Sequence, residues 1–245
     1  MPGDLRTTWL IARRGAVESL RDRLTLGLSA IYAFVIPVVV TLLVVRPQAN
    51  QIGAADGGAL GALIAVYLLF VGLLPASGSI GVASGLFAGE KEQGNLLPLL
   101  ATPASNRAIF AGKVIGAVLP ALLYSFIAEA SYLGETSALI GGIALGNLPP
   151  ALSLAMLALV PAEALLGAAV AAIVSSRVRT YQSAQMLSSL AIFPIMGALF
   201  GLATQMQRWG WPALLATVTV VVAVDVLLVV VGAATWRREE VLARR

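Results

Sequence analysis

The sequence predicts an all-α polytopic membrane protein, with six transmembrane helices preceded by an amphipathic interfacial helix. Three observations predict it. The 245 residues are 59% hydrophobic and only 11% charged, with a mean hydropathy of +0.91. A water-soluble domain of that size needs far more polar residues to coat its core. Several apolar runs exceed the roughly 18 to 20 residues that carry a helix across a bilayer. These runs are continuous, unlike the short alternating strands of an outer-membrane barrel.

Before the first span, Leu5, Trp9, Ala12, Ala16 and Leu20 recur at helical spacing, and Arg14, Glu18, Arg21 and Asp22 take the opposite side. That pattern predicts an amphipathic helix over residues 1–23, lying along the membrane surface. Arg13, Arg14 and Glu18 interrupt the place where a signal-peptide core would sit. Six spans are then predicted near Leu24–Val45, Gly58–Phe87, Ile109–Ala130, Ala151–Val174, Ala184–Met206 and Trp211–Ala234. Pro37, Pro120 and Pro194 are expected to kink the helices that hold them.

The second predicted span is long. As a continuous helix, 30 residues reach roughly 45 Å at about 1.5 Å each. A hydrocarbon core of ~30 Å leaves the excess to project beyond the membrane. Between the third and fourth spans, Ser137–Leu148 is apolar but half a span long, and Gly141, Gly142 and Gly146 interrupt it. It is expected to form a partly inserted or interfacial segment on the outer side.

An even number of spans places both termini on one side. Of the 16 basic residues, only Arg46 and Arg208 fall on the other side. Positive residues favour the cytoplasm, so both termini are expected there, in a multi-pass protein of the cell (plasma) membrane. The chain reads as one transmembrane domain over residues 1–245, with a cytoplasmic loop at 88–107 and a cytoplasmic tail at 235–245. Its net charge of +4 follows from this topology and implies no nucleic acid.

There are no cysteines and no histidines. Thiolate chemistry, serine–histidine catalysis, histidine ligation of heme and the usual zinc sites are thereby removed. The chain is expected to catalyse nothing and to bind no metal or cofactor itself.

One polar island interrupts the apolar chain: "GEKEQGNLLPLLATP" begins at Gly89. Glu90, Lys91 and Glu92 end the projecting helix in a charged turn. Gly94 permits a sharp reversal, and Asn95 can cap a new helix after it. Leu96, Leu97, Leu99 and Leu100 make that helix very short and apolar, and Pro103 stops it. A helix so short cannot hold alone. Partner docking and a self-packed or lipid-lying loop both satisfy this pattern.

The island resembles the cytoplasmic signature of type-2 ATP-binding-cassette (ABC) exporter permeases. That signature reads Glu-x-Glu-x-Gly-Thr-x-Glu-x-Leu-Leu-x-x-Pro, followed by a Gly-Lys entering the third span. Glu90, Glu92, Gly94, Leu99, Leu100, Pro103, Gly112 and Lys113 match it, whereas Asn95 and Leu97 replace the threonine and the third glutamate. "IVSSRVRTYQSAQ", from Ile173 to Gln185, resembles the family's turn between the fourth and fifth spans, and "LRDRLTL" resembles the end of its flat N-terminal helix. The resemblance implies that the island is a coupling helix seated in a separate ATPase subunit. Glu90, Lys91, Glu92, Gly94, Asn95, Leu96, Leu99, Leu100 and Pro103 would then be the docking residues. It also implies a second permease copy (a homodimer) or a related permease. No G-x-x-x-x-G-K-[ST] phosphate loop occurs in the chain, so ATP and Mg are expected on the partner subunit.

Three acids fall inside predicted spans: Glu129, Glu163 and Asp225. A carboxylate at mid-bilayer costs about 2.5 to 3.5 kcal/mol on insertion scales, so each should face protein or a cavity. They are candidate residues of a translocation path, with helix-to-helix hydrogen bonding as the structural alternative. An alternative function, an ion- or proton-coupled secondary transporter, would use Glu163 and Asp225. Small-residue pairs at Gly81 and Gly85, Gly112 and Gly116, and Gly197 and Gly201 are candidates for close helix contact.

Overall fold

The computed structural model of the protein describes residues 2–52, 56–94, 104–141 and 146–236, and every regular element among them is a helix. Helix α1 spans Pro2–Arg21. Among the described residues, six further helices are long and apolar enough to cross a membrane. They are α2 (Arg23–Ile52), α3 (Gly57–Glu92), α4 (Asn106–Ile140), α5 (Pro150–Arg177), α6 (Tyr181–Ala203) and α7 (Pro212–Thr235). All six predicted spans are present, each within a few residues of its expected place or longer.

The joints between helices are set by single residues. Asp22 has extended backbone, and its carboxylate accepts from the Thr25 amide at 2.8 Å and the Thr25 hydroxyl at 2.6 Å, capping α2. Asp56 caps α3 in the same way through the Ala59 amide at 2.9 Å, and Ser105 caps α4 through the Ala108 amide at 3.2 Å. Each cap satisfies an amide that the first helical turn leaves without a partner. At Gly210, φ is 72°, a left-handed conformation that a side chain disfavours, and there the chain turns from α6 into α7.

Proline effects differ by helix. In α2, Pro37 sits in a short α-helical stretch between two wide π turns, Ile31–Val35 and Thr41–Val45. Its missing amide is accommodated by those turns. Helical structure continues through Pro120 and Pro194.

Helices α3, α4 and α5 form the interior of the bundle, and α2, α6 and α7 lie around it. In α3, 72% of the most apolar stretch is buried, against 11% in α7. The outer face of α7 (Val220, Val222, Val226, Leu227, Val230) is therefore left for lipid or another chain. Buried polar groups join α4 to α3 and to α2. Tyr132 donates to the Ile64 carbonyl at 3.2 Å, and the Thr41 and Thr136 hydroxyls lie 3.4 Å apart.

One expectation is corrected. Ser137–Ile140 is not separate from the third span but forms the last turn of α4, which ends at Gly141 with φ 106°. No residue before Gly141 breaks the helix, so the apolar run extends it. Beyond residues 142–145, which lie outside the described residues, the chain folds over the start of α3. There the Asn147 carbonyl occupies the space that a side chain at Gly61 would fill.

The apolar side of α1 is shared between protein and surroundings. Ala12 and Ala16 are buried, whereas Leu5 and Trp9 are exposed. The helix packs on α4 through small residues: a Cβ at Gly116 would lie 2.9 Å from the Ala12 carbonyl oxygen, and one at Gly112 would lie 2.8 Å from that of Thr8. Glycine on one helix and alanine on the other let the backbones approach. The pair Gly112 and Gly116 thus makes the close contact expected of it, but with α1 rather than with another span.

Candidate functional site

The start of α4 and the end of α3 lie at the end of the bundle that also carries α1 and the end of α7. Phe87 stacks near Phe110 at 5.4 Å and meets the Trp236 ring edge-on at 6.4 Å. The long α3 is stepped as it approaches this end. It breaks at Ser77 after Pro75, passes through a π turn at Gly85–Gly89, and finishes with Glu90–Glu92. Gln93 and Gly94 then reverse the chain, with Gly94 at φ 74°. A left-handed glycine after a helix is what such a reversal requires, and it stands where the sequence predicts it.

Each of the three charges at the end of α3 has its own partner within the chain. Glu90 meets Lys113 of α4, with 2.7 Å between carboxylate and ammonium. Lys113 also donates to the Leu86 carbonyl and lies 5.2 Å from the centre of the Phe87 ring. Its side chain is only 2% exposed, so pairing, hydrogen bonding and the aromatic face together replace lost hydration.

Lys91 and Glu92 reach the turn between α5 and α6. The Lys91 ammonium donates to the Val178 carbonyl at 3.4 Å, just past the end of α5. The Glu92 carboxylate accepts from the Tyr181 amide at 2.9 Å, at the first residue of α6. A cation therefore sits at a helix C-terminus and an anion at a helix N-terminus, each complementing the helix dipole. Thr180 caps the Ser183 amide at 3.2 Å, which leaves the Tyr181 amide to Glu92.

Of the residues the sequence nominated for docking, Glu90, Lys91, Glu92 and Gly94 are described, and the first three make these contacts. Asn95, Leu96, Leu99, Leu100 and Pro103 lie outside the described residues. Sequence reasoning missed Val178 and Tyr181 as partners, and it treated Lys113 as part of a motif without assigning it a counter-ion. The signal for Lys113 was available: a lone lysine among apolar residues needs an anion, and Glu90 stands one helix end away in the same polar stretch.

The three intramembrane acids are buried. Glu163 is fully covered, and Glu129 and Asp225 are exposed by no more than 2%. None of their carboxylate oxygens has a hydrogen-bond partner among the described residues, so the hydrogen bonds expected of a purely structural role are not made there. Glu129 fits against Gly72, where a Cβ would lie 2.7 Å from its Oε1 and equally close to Val160 of α5. Glu163 lies one helical turn beyond Val160 and near enough to Asp225 for their charges to interact. Among the described residues, no group of three or more acids is placed to hold a metal ion.

The sequence model of the ABC-2 family transporter proteins matches residues 9–220. No curated protein matches the chain.

Proposed function

Because the chain belongs to the ABC-2 transporter family, we propose that it is the membrane permease of an ATP-driven exporter, worked by a separate ATPase subunit. The coarse part of this statement, a membrane-spanning transporter subunit, rests on the family match over residues 9–220. The finer part rests on one observation. The polar island emerges from a base whose three charges are spent on α4, α5 and α6. A segment anchored in this way can be pushed without bending away from the bundle.

Docking on the ATPase then falls to Asn95, Leu96, Leu99, Leu100 and Pro103, beyond the anchored base. The chain has no phosphate loop, so ATP and Mg reside on the partner. In this reading both termini and the island face the cytoplasm, which the distribution of basic residues supports. A second copy of the permease, or a related permease, completes the translocation path, and the exposed apolar faces of α2, α6 and α7 offer surface for it. The test is co-purification with a candidate ABC-type ATPase subunit from the same cells. Leu99→Asp with Leu100→Asp should abolish association while the permease remains folded in detergent. Association that survives the double substitution overturns the docking assignment.

A second reading is favoured by the burial of Glu163 and Asp225 without partners. In it, these acids with Glu129 lie on the translocation path, and a bound ion rather than ATP drives the cycle. Transport by the permease alone, in vesicles lacking the ATPase, would favour this reading. Strict dependence on ATP and the ATPase would exclude it.

A further inference from the structure

We infer that the outward side of α1 is a binding surface for anionic phospholipids, with Arg6, Arg13 and Arg21 meeting the headgroup phosphates. The site is the same whether or not an ATPase drives transport, because it needs only a membrane around the bundle. One side of α1 is spent on α4, where Thr8 and Ala12 meet Gly112 and Gly116. On the other side Arg6, Leu10, Arg13, Val17 and Arg21 follow at steps of three or four residues, which aligns them on one helix face. All five are exposed, and the exposed Trp9 lies beside them.

Charge on this side has one sign. Asp4 stands two positions before Arg6 and so takes another side of the helix. Glu18 pairs with Arg14 at 4.0 Å, and the Asp22 carboxylate is turned to Thr25. Arg6, Arg13 and Arg21 form no ion pair among the described residues. Arginines separated by apolar side chains suit the boundary between phosphate and hydrocarbon, because their stems lie along the apolar layer while their heads reach the phosphates. Tryptophan favours the same boundary. The next helix fixes the depth. Span α2 starts at Arg23, directly after the Asp22 joint, and its first turns expose Leu24, Leu26 and Leu28. The stripe therefore ends where a membrane span begins, and that continuity favours lipid over an acidic protein.

In a chain with no native cysteine, Leu10→Cys puts a bimane label on the stripe, one turn from both Arg6 and Arg13. The full-length permease is placed in phosphatidylcholine vesicles carrying a small fraction of nitroxide-chain phosphatidylglycerol, or the same fraction of nitroxide-chain phosphatidylcholine. Quenching should show phosphatidylglycerol enriched at the label by about fivefold or more, the preference that one arginine near the surface confers. Unlabelled phosphatidylglycerol should reverse the quenching, whereas soluble glycerol phosphate should not, which separates lipid from free phosphate. Arg13→Gln with Arg21→Gln should remove most of the enrichment and leave quenching by phosphatidylcholine unchanged. Arg177→Gln with Arg179→Gln removes the same charge from the α5–α6 turn and should leave the enrichment intact. Arg13→Lys with Arg21→Lys should keep it, because a point charge suffices for a headgroup phosphate.

Equal quenching by the two probes in the parent chain overturns the inference, as does equal loss from the two arginine-to-glutamine pairs. Competition by glycerol phosphate overturns it as well and assigns the arginines to a soluble anion. Quenching by neither probe means that protein covers the stripe, and overturns it too. None of these outcomes bears on the ATPase-driven reading, which stands or falls by co-purification.

Discussion

Lys113 and Glu90 form a buried ion pair at 2.7 Å, joining the first turns of α4 to the last turn of α3 across 23 residues of sequence. The ammonium is almost wholly covered, and the carboxylate is the more exposed partner. Such a pair fixes how two helices meet more than it adds to stability, since desolvation offsets most of the attraction. Removing one member is a different matter, because the other is left buried and uncompensated.

Glu90→Leu should therefore destabilise the protein by about 3 kcal/mol or more, the usual cost of breaking a buried pair. Lys113→Met together with Glu90→Leu should recover most of that loss, because no charge remains to be hydrated. Thermal unfolding in detergent, measured for the two single variants and the double variant, checks both parts.

The seat of α1 on α4 is equally specific. Gly116→Leu would drive a side chain into the Ala12 backbone, and overpacking of this kind costs about 1 to 3 kcal/mol. The contact being local, the expected result is release of α1 rather than collapse of the bundle. Trypsin should then cut faster at Arg13 and Arg14, both exposed residues of α1, with little change at Arg177.

Gly72 and Glu129 test how the intramembrane acids are accommodated. Gly72→Ala should cost about 1 to 3 kcal/mol, since its Cβ would overlap both the Glu129 carboxyl and Val160. Combined with Glu129→Ala, the cost should fall short of the sum by about 1 kcal/mol, the coupling expected of residues in contact. Additive losses measured by thermal unfolding would mean that the two residues do not share this space.

Much of this fold is written in the sequence because hydropathy is a local property. The spans, the long α3 and the turn at Gly94 each depend on residues adjacent in the chain. The pairing of Glu90 with Lys113 was legible only in part: a lone lysine among apolar residues calls for an anion, but the sequence does not say which of Glu90 and Glu92 supplies it. The contacts of Lys91 and Glu92 were further hidden because their partners are backbone groups, which every residue carries. The contact of α1 with α4 was hidden for a related reason: hydrophobic spacing does not separate residues that face lipid from those that face protein, whereas close approach to Gly112 and Gly116 selects Ala12 and Ala16. The end of α4 lies beyond the predicted span because the helix runs on to Ile140 through residues that do not break it, and only Gly141, at φ 106°, ends it.

The joint between α1 and α2 should respond to acid. The Thr25 hydroxyl, and then the Thr25 amide, hydrogen-bond the Asp22 carboxylate and hold its pKa below the ordinary aspartate value. A carboxyl lowered in this way favours the folded joint at every pH above the aspartate range in the unfolded chain. That contribution disappears as pH falls through the lowered value and the carboxyl takes up a proton. The amides at the start of α2, Thr25 above all, should therefore exchange faster with solvent in acid than at neutral pH, after correction for the intrinsic chemistry of exchange. Asp22→Asn cannot titrate, so its protection should be flat over the same range, and Asp22→Ala should show fast exchange throughout. Hydrogen exchange followed by mass spectrometry on peptides covering residues 20–30 reads all three. An acid response that persists in Asp22→Asn would assign the effect to another group.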